Sequence, residues 1–157
     1  MLQIVKRAAE QIAKSGYSIV FSGSPRTLYE AFGDAKESGL LHGLVKNFGK
    51  KNIIVIQLRV RDSSSLTRNS HRLICAVCGL PILAGSGVTT CALCAGATRK
   101  RVLDDPKVIK VRIVEYRTRT YPILARAKQE GFSIHPMNGE PLPYRVHVRM
   151  VSALHLR

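Results

Sequence analysis

Apolar positions open the chain at helical spacing. Leu2, Val5, Ala8, Ala9 and Ile12 form one stripe, with Lys6, Arg7, Glu10 and Lys14 off it, which predicts an amphipathic helix over 2–14. Tyr17 to Phe21 is short and largely apolar and predicts a strand. Ser24-Pro25 reads as a helix start, with Ser24 as N-cap and Pro25 in the first turn. That helix carries Leu28, Phe32 and Ala35 inward and stops near Gly39, and Leu40 to Phe48 continues for another turn or two. Asn52 to Arg61 predicts a strand, apolar from Ile53 to Ile56 and then alternating so that Arg59 and Arg61 share a face. The serines from Ser63 to Ser70 read as a flexible loop.

Beyond residue 95 the alternation has the period of a strand. Val108 to Tyr116 sets Ile109, Val111 and Ile113 against Lys110, Arg112 and Tyr116. Tyr144 to Val151 sets Val146, Val148 and Met150 against Arg145, His147 and Arg149. Between them, Pro122 to Gln129 predicts a short helix and Asn138-Gly139 a hairpin turn. The predicted class is α+β. A helical and strand part spans 1–72, a four-cysteine hairpin 73–98, and basic antiparallel strands 99–157. At 157 residues these fit one compact domain.

Cys75-Ala76-Val77-Cys78 and Cys91-Ala92-Leu93-Cys94 are two Cys-x-x-Cys pairs with twelve residues between them. Zinc takes four tetrahedral ligands, and thiolates at i and i+3 of a tight turn reach one metal. Gly79 and Gly96 follow the pairs, and Ala84-Gly85-Ser86-Gly87 supplies a hairpin tip. No charged side chain lies between Cys75 and Cys94, so the hairpin is expected to pack on the protein. Two disulfides or a pair of redox motifs are the alternatives, and one structural zinc held by Cys75, Cys78, Cys91 and Cys94 is the favoured reading. A catalytic zinc would bring a nearby Glu, and the segment has none. Cysteines so clustered place the chain in a reducing compartment, most simply the cytoplasm. Leu2 to Lys14 lacks the long apolar core of a targeting signal.

The Cys75–Cys94 segment resembles zinc ribbons and zinc knuckles, and its spacing is similar to that of zinc-bearing forms of a small-subunit ribosomal protein. In size, charge and zinc pattern the chain is also similar to the large-subunit-like component of type IV CRISPR effectors. These resemblances imply a nucleic-acid-binding role inside a ribonucleoprotein.

Lys and Arg number 25 against 10 Asp and Glu, a formal net charge of +15. Such an excess repels itself unless a polyanion neutralises it, and nucleic acid is the commonest such partner. The candidate phosphate contacts are Arg59, Arg61, Arg99, Lys100, Arg101, Lys107, Lys110, Arg112, Arg117, Arg119, Arg145 and Arg149, with Tyr116 as a stacking ring. RNA is favoured over DNA because no recognition helix or dimerisation heptad is evident. The expected function is a non-catalytic subunit of a larger complex, bound to nucleic acid and to protein subunits. The alternative is a stand-alone zinc-ribbon DNA-binding regulator. A nuclease would need clustered carboxylates. The adjacent pair Asp104-Asp105 before Pro106 reads instead as a turn or a helix cap. Gly85-Ser86-Gly87 lacks the Lys and helix of a phosphate-binding loop. No run of 18 apolar residues exists, so no membrane span is expected.

Overall fold

A computed structural model describes residues 2–83 and 85–155. The helices are α1 (Leu2–Lys14), α2 (Leu28–Phe32), α3 (Leu40–Phe48), α4 (Asp62–Ser70), α5 (Pro106–Glu115), α6 (Tyr121–Gln129) and α7 (Pro143–Ala153). The strands are β1 (Val55–Arg59), β2 (Leu73–Cys75), β3 (Pro81–Ile82), β4 (Thr98–Lys100) and β5 (Ile134–Asn138). Helices and sheet together make the α+β class expected from sequence. Among the described residues no helix is long and apolar enough to cross a membrane. The chain divides into two compact units, 1–58 with 115–137 and 59–114 with 138–157.

The first unit is built on one apolar cluster of Ala9, Ala31, Phe32, Leu40, Leu41, Leu44, Ile123, Ala127 and Phe132. Helix α1 contributes the stripe read from sequence, with Ala9 buried and Leu2 and Val5 packed beside it. Thr27, not Ser24, caps α2, its hydroxyl accepting the Glu30 N–H at 3.1 Å. The helix ends at Phe32, well short of Gly39, so Ala35 is exposed and Leu28 is 40% exposed. The chain then turns a tight corner instead of extending the helix. Asp34 Oδ1 accepts the Lys36 and Glu37 N–H groups at 2.8 and 2.9 Å. At the close of this corner Gly39 lies against α2, where an added Cβ would sit 2.3 Å from the Ala31 carbonyl oxygen and the Phe32 nitrogen. Only glycine lets α3 start so close to α2. Strands β1 and β5 form a two-stranded sheet.

In the second unit, β3-β2-β4 form an antiparallel sheet, with Leu73 opposite both Ile82 and Lys100, and Cys75 opposite Thr98. The serine stretch expected to be a loop is helix α4. Its first turn is capped from far along the chain, the Arg61 N–H donating to Glu140 Oε1 at 2.7 Å across 79 residues. From the last turn Arg68 donates to the Gly139 and Glu140 carbonyls. A carboxylate at a helix N-terminus and donors from its other end stabilise a sequence whose own propensity is weak.

The basic strands expected after residue 99 are corrected by the structure, since α5 and α7 are helices. Asp105 Oδ1 accepts the Lys107 N–H at 2.8 Å and Pro106 takes the first helical position. Asp105-Pro106 is thus the cap and first turn of α5. The helix continues through a π turn, Tyr116–Thr120, into α6. Pro143 likewise starts α7, so Asn138-Gly139 closes β5 and makes no hairpin. Period-two alternation stabilises a strand only where a neighbouring strand takes up its backbone groups, and among the described residues neither segment has one. The glycine tip expected over 84–87 has Gly85 and Gly87 at positive φ, while Ala84 lies outside the described residues.

Candidate metal centre and anion-binding side chains

The two Cys-x-x-Cys turns fold alike. After the first, the Gly79 N–H donates to the Cys75 carbonyl, and after the second, the Ala95 N–H donates to the Cys91 carbonyl, at 3.2 and 2.8 Å. Both residues take positive φ, 74° at Gly79 and 56° at Ala95. Strand pairing of Cys75 with Thr98 and a bridge between Thr90 and Ala97 bring the turns face to face. Gly96 makes the approach possible, because a Cβ there would lie 3.0 Å from Cys75 Sγ.

Cys75 and Cys91 are buried, Cys78 and Cys94 exposed, and all four are free thiols. Cys75 Sγ lies 3.5 Å from Cys94 Sγ, and Cys78 Sγ lies 3.6 Å from Cys91 Sγ. All four sulfurs fall within 4.8 Å of one another. A disulfide needs about 2.05 Å. Four ligands at about 2.3 Å from a tetrahedral centre stand about 3.8 Å apart. The four cysteines could hold one metal ion. The backbone is arranged for thiolates. The N–H groups of Cys78 and Val77 donate to Cys75 Sγ and bring that thiol down to about 6. Those of Cys94 and Leu93 lower Cys91 in the same way. The Gly96 N–H works to lower Cys94, but the Cys75 and Cys78 sulfurs beside it push it up to about 12. Four adjacent sulfurs cannot all carry charge without a cation between them. His71, four residues before Cys75, turns instead to the Thr67 carbonyl at 2.9 Å.

The same unit holds a second constellation that sequence reasoning missed. Asp104 is buried, with its side chain 3% exposed. Arg72 clamps it bidentately, Nε to Oδ2 at 2.9 Å and Nη2 to Oδ1 at 2.7 Å, and Arg112 Nη1 approaches Oδ1 at 3.8 Å. Two guanidinium groups on one carboxylate leave a net positive charge. Arg112 is 46% and Arg72 27% exposed at the side chain, so both reach solvent. Such a pair, held rigid by a buried carboxylate, is a pre-positioned fork for phosphate or carboxylate oxygens. Asp104 was legible only as part of a capping sequence, and Arg72 as one basic residue among many.

The structure disperses the other candidate contacts. Arg59 ends β1, and Arg61 precedes α4, where its Nε meets Glu140 at 3.2 Å. Arg99 and Lys100 lie on β4, with Arg101 just after it. Lys107, Lys110 and Arg112 lie on α5, Tyr116, Arg117 and Arg119 on the π turn, and Arg145 and Arg149 on α7. Tyr116 meets Tyr121 edge-on, with ring centroids 6.3 Å apart. The three-strand basic face that motivated a nucleic-acid surface does not form, because two of its strands are helices.

No family model matches the chain. Over most of its length it is nonetheless similar to adenylate kinases. It is 29% identical over 135 residues to that of Paracoccus denitrificans, covering 83% of this chain and 58% of the relative. It is 31% identical over 126 residues to that of Novosphingobium aromaticivorans, covering 74% and 53%. With that of Caldicellulosiruptor saccharolyticus the identity is 26% over 149 residues, covering 90% and 64%. The chain thus spans between 53% and 64% of the length of these three relatives. This similarity overturns the resemblance to zinc-ribbon, ribosomal and CRISPR proteins, which rested on the cysteine segment and on charge alone. It equally overturns the expected non-catalytic nucleic-acid-binding subunit with RNA and protein partners, and the expectation of no enzyme. The proteins this chain is similar to are kinases of adenylate.

Proposed function

We propose that this chain handles nucleotide phosphates in a phosphotransferase of the adenylate kinase type, acting on adenylate. The similarity to adenylate kinases over 74–90% of the chain carries the reading. The excess of +15 suits it as well, since a nucleotide's phosphates are a dense anionic partner just as a polynucleotide is. Arg72 and Arg112, braced on Asp104, are the side chains we assign to phosphate oxygens. Phosphoryl transfer depends chiefly on positioning and on compensating the charge spread over the phosphate oxygens, and guanidinium forks do both. Cys75, Cys78, Cys91 and Cys94 hold one structural zinc in this reading. A closed four-thiolate site leaves no open position for a substrate. The zinc would brace the β2–β4 ladder, from which Arg72 projects one residue before β2.

Titration calorimetry of the 157-residue chain with ATP, with AMP and with a single-stranded RNA oligonucleotide tests this reading. Nucleotide binding is expected, weakened roughly tenfold or more in Arg112→Leu, which removes a charged hydrogen-bonding partner of phosphate. RNA binding without nucleotide binding would overturn it. Metal analysis of the purified chain is expected to give one zinc per chain.

A further inference from the structure

The chain enters β1 through the 3-10 turn Lys50–Asn52 and β5 through Gly131 to Ser133, and both approaches line one cleft of about 480 Å³. Lys50, Lys51, Ser133 and His135 form its polar side and Ile53 and Ile54 its apolar wall, all within the first unit. No acidic residue lines it. Glu130, one residue before Gly131, has its carboxylate taken up by His42 at 2.9 Å and by Arg126 at 3.1 Å. Lys50 is held in place, its Nζ donating to the Glu130 carbonyl and standing 5.3 Å from the centre of the Phe132 ring. Gly131, at φ 75°, leaves room for that ammonium, because a Cβ there would lie 3.0 Å from Lys50 Nζ. Among the described residues the side chains of Lys51, Ser133 and His135 have no hydrogen bond or ion pair, and His135 is half-buried.

We propose that this cleft binds a small organic phosphate monoester, at a site distinct from the Arg72 and Arg112 pair of the second unit. A phosphate monoester carries up to two negative charges and three strong acceptor oxygens. The cleft meets them with two ammonium groups, a hydroxyl and an imidazole, and hydrogen bonds between ionised partners are the strong ones. A monocarboxylate would leave one of the two ammonium charges uncompensated. The space is larger than inorganic phosphate needs, and Ile54, 44% exposed, offers an apolar surface to the organic group. An apolar wall with a few placed polar groups, in about 300–1,000 Å³, is the usual build of a small-molecule site. This assignment does not depend on the phosphotransferase reading above, which concerns other side chains.

The test titrates the 157-residue chain with phenyl phosphate, with inorganic phosphate and with sodium chloride at matched ionic strength, read by NMR at the backbone amides. Phenyl phosphate is expected to give saturable shifts at Lys51, Ser133 and His135, and chloride none. Inorganic phosphate is expected to shift the same amides with weaker affinity, because it leaves the isoleucine wall uncovered. Lys51→Gln should weaken phenyl phosphate at these amides about tenfold, and Lys51→Arg should restore it, since charge and donors return. Arg112→Leu should leave these shifts unchanged, which keeps this site's failure separate from failure of nucleotide binding in the second unit. No saturable shift at the three residues, or equal shifts with chloride, overturns the proposal, the latter by reducing the effect to screening. Undiminished binding in Lys51→Gln overturns it as well, and inorganic phosphate binding as tightly as phenyl phosphate overturns the assignment of an ester.

Discussion

The two units are held together by different physics. In the first, Phe32, Leu40, Leu41, Leu44, Ile123 and Phe132 pack with three alanines into one apolar cluster, and its ion pairs lie toward the surface. In the second, the buried side chains among the described residues are Cys75, Ile82, Cys91, Ile109 and the carboxylate of Asp104. A core so poor in apolar side chains removes little area from water, and small domains of that kind rely on metals or cross-links. The difference also separates what each unit is suited to. An apolar cluster resists rearrangement, whereas a charge pair and a thiolate cage place polar groups at fixed positions near the surface. The arginines assigned to phosphate, Arg72 and Arg112, lie in the second.

Removing the metal is expected to break the comparison most sharply. Chelation, or Cys91→Ser, should abolish hydrogen-exchange protection in β2 and β4 and leave α1 and α3 protected. Four-cysteine zinc binding is worth of order 10 kcal/mol to a small fold. Equal loss in both units would show that the two share one source of stability.

Asp104→Ala removes the buried carboxylate that holds Arg72 and is expected to cost about 1.5–3 kcal/mol, measured by denaturant unfolding of the zinc-loaded chain. The first unit's counterpart is Leu40→Ala. Leu40 is 1% exposed. Its truncation should cost about 2–5 kcal/mol and lower protection in α1 and α3 first.

Glu140 gives the second unit an acid sensitivity of its own. The Arg61 N–H, the Ser64 hydroxyl and the Arg61 guanidinium hold its carboxyl down from 4.5 to about 2. A carboxyl depressed in the folded state contributes stability that is fully present above its unfolded value and is lost as pH falls through its folded one. The melting temperature should therefore fall between about pH 4.5 and about pH 2, and Glu140→Gln should flatten that part of the profile. An unchanged profile in Glu140→Gln would show that the cap on α4 contributes nothing.

The smallest effect is expected at Ala95, which holds φ at 56° where its counterpart in the first cysteine turn is Gly79. Ala95→Gly relieves that conformation and should stabilise the zinc-loaded chain by about 1 kcal/mol in thermal melts.

Several features were legible from residue order alone, because their causes are local. The stripe of α1, the helices at Leu40 to Phe48 and Pro122 to Gln129, and the two Cys-x-x-Cys turns rest on spacings of a few residues. The charge of +15 is not a local cause of that kind, and the nucleic-acid partner read from it is overturned by the similarity to adenylate kinases. Tertiary structure decided what depended on distant partners. The serine stretch is a helix because Glu140 caps it from 79 residues away. Val108 to Tyr116 is helical because Asp105 and Pro106 open a helix there and, among the described residues, no strand pairs with it. The Arg72–Asp104 pair joins residues 32 apart, a separation at which sequence spacing carries no geometric information. Short-range order comes from backbone sterics and side-chain periodicity. A strand, a cap or a buried ion pair exists only once folding has brought its other half alongside.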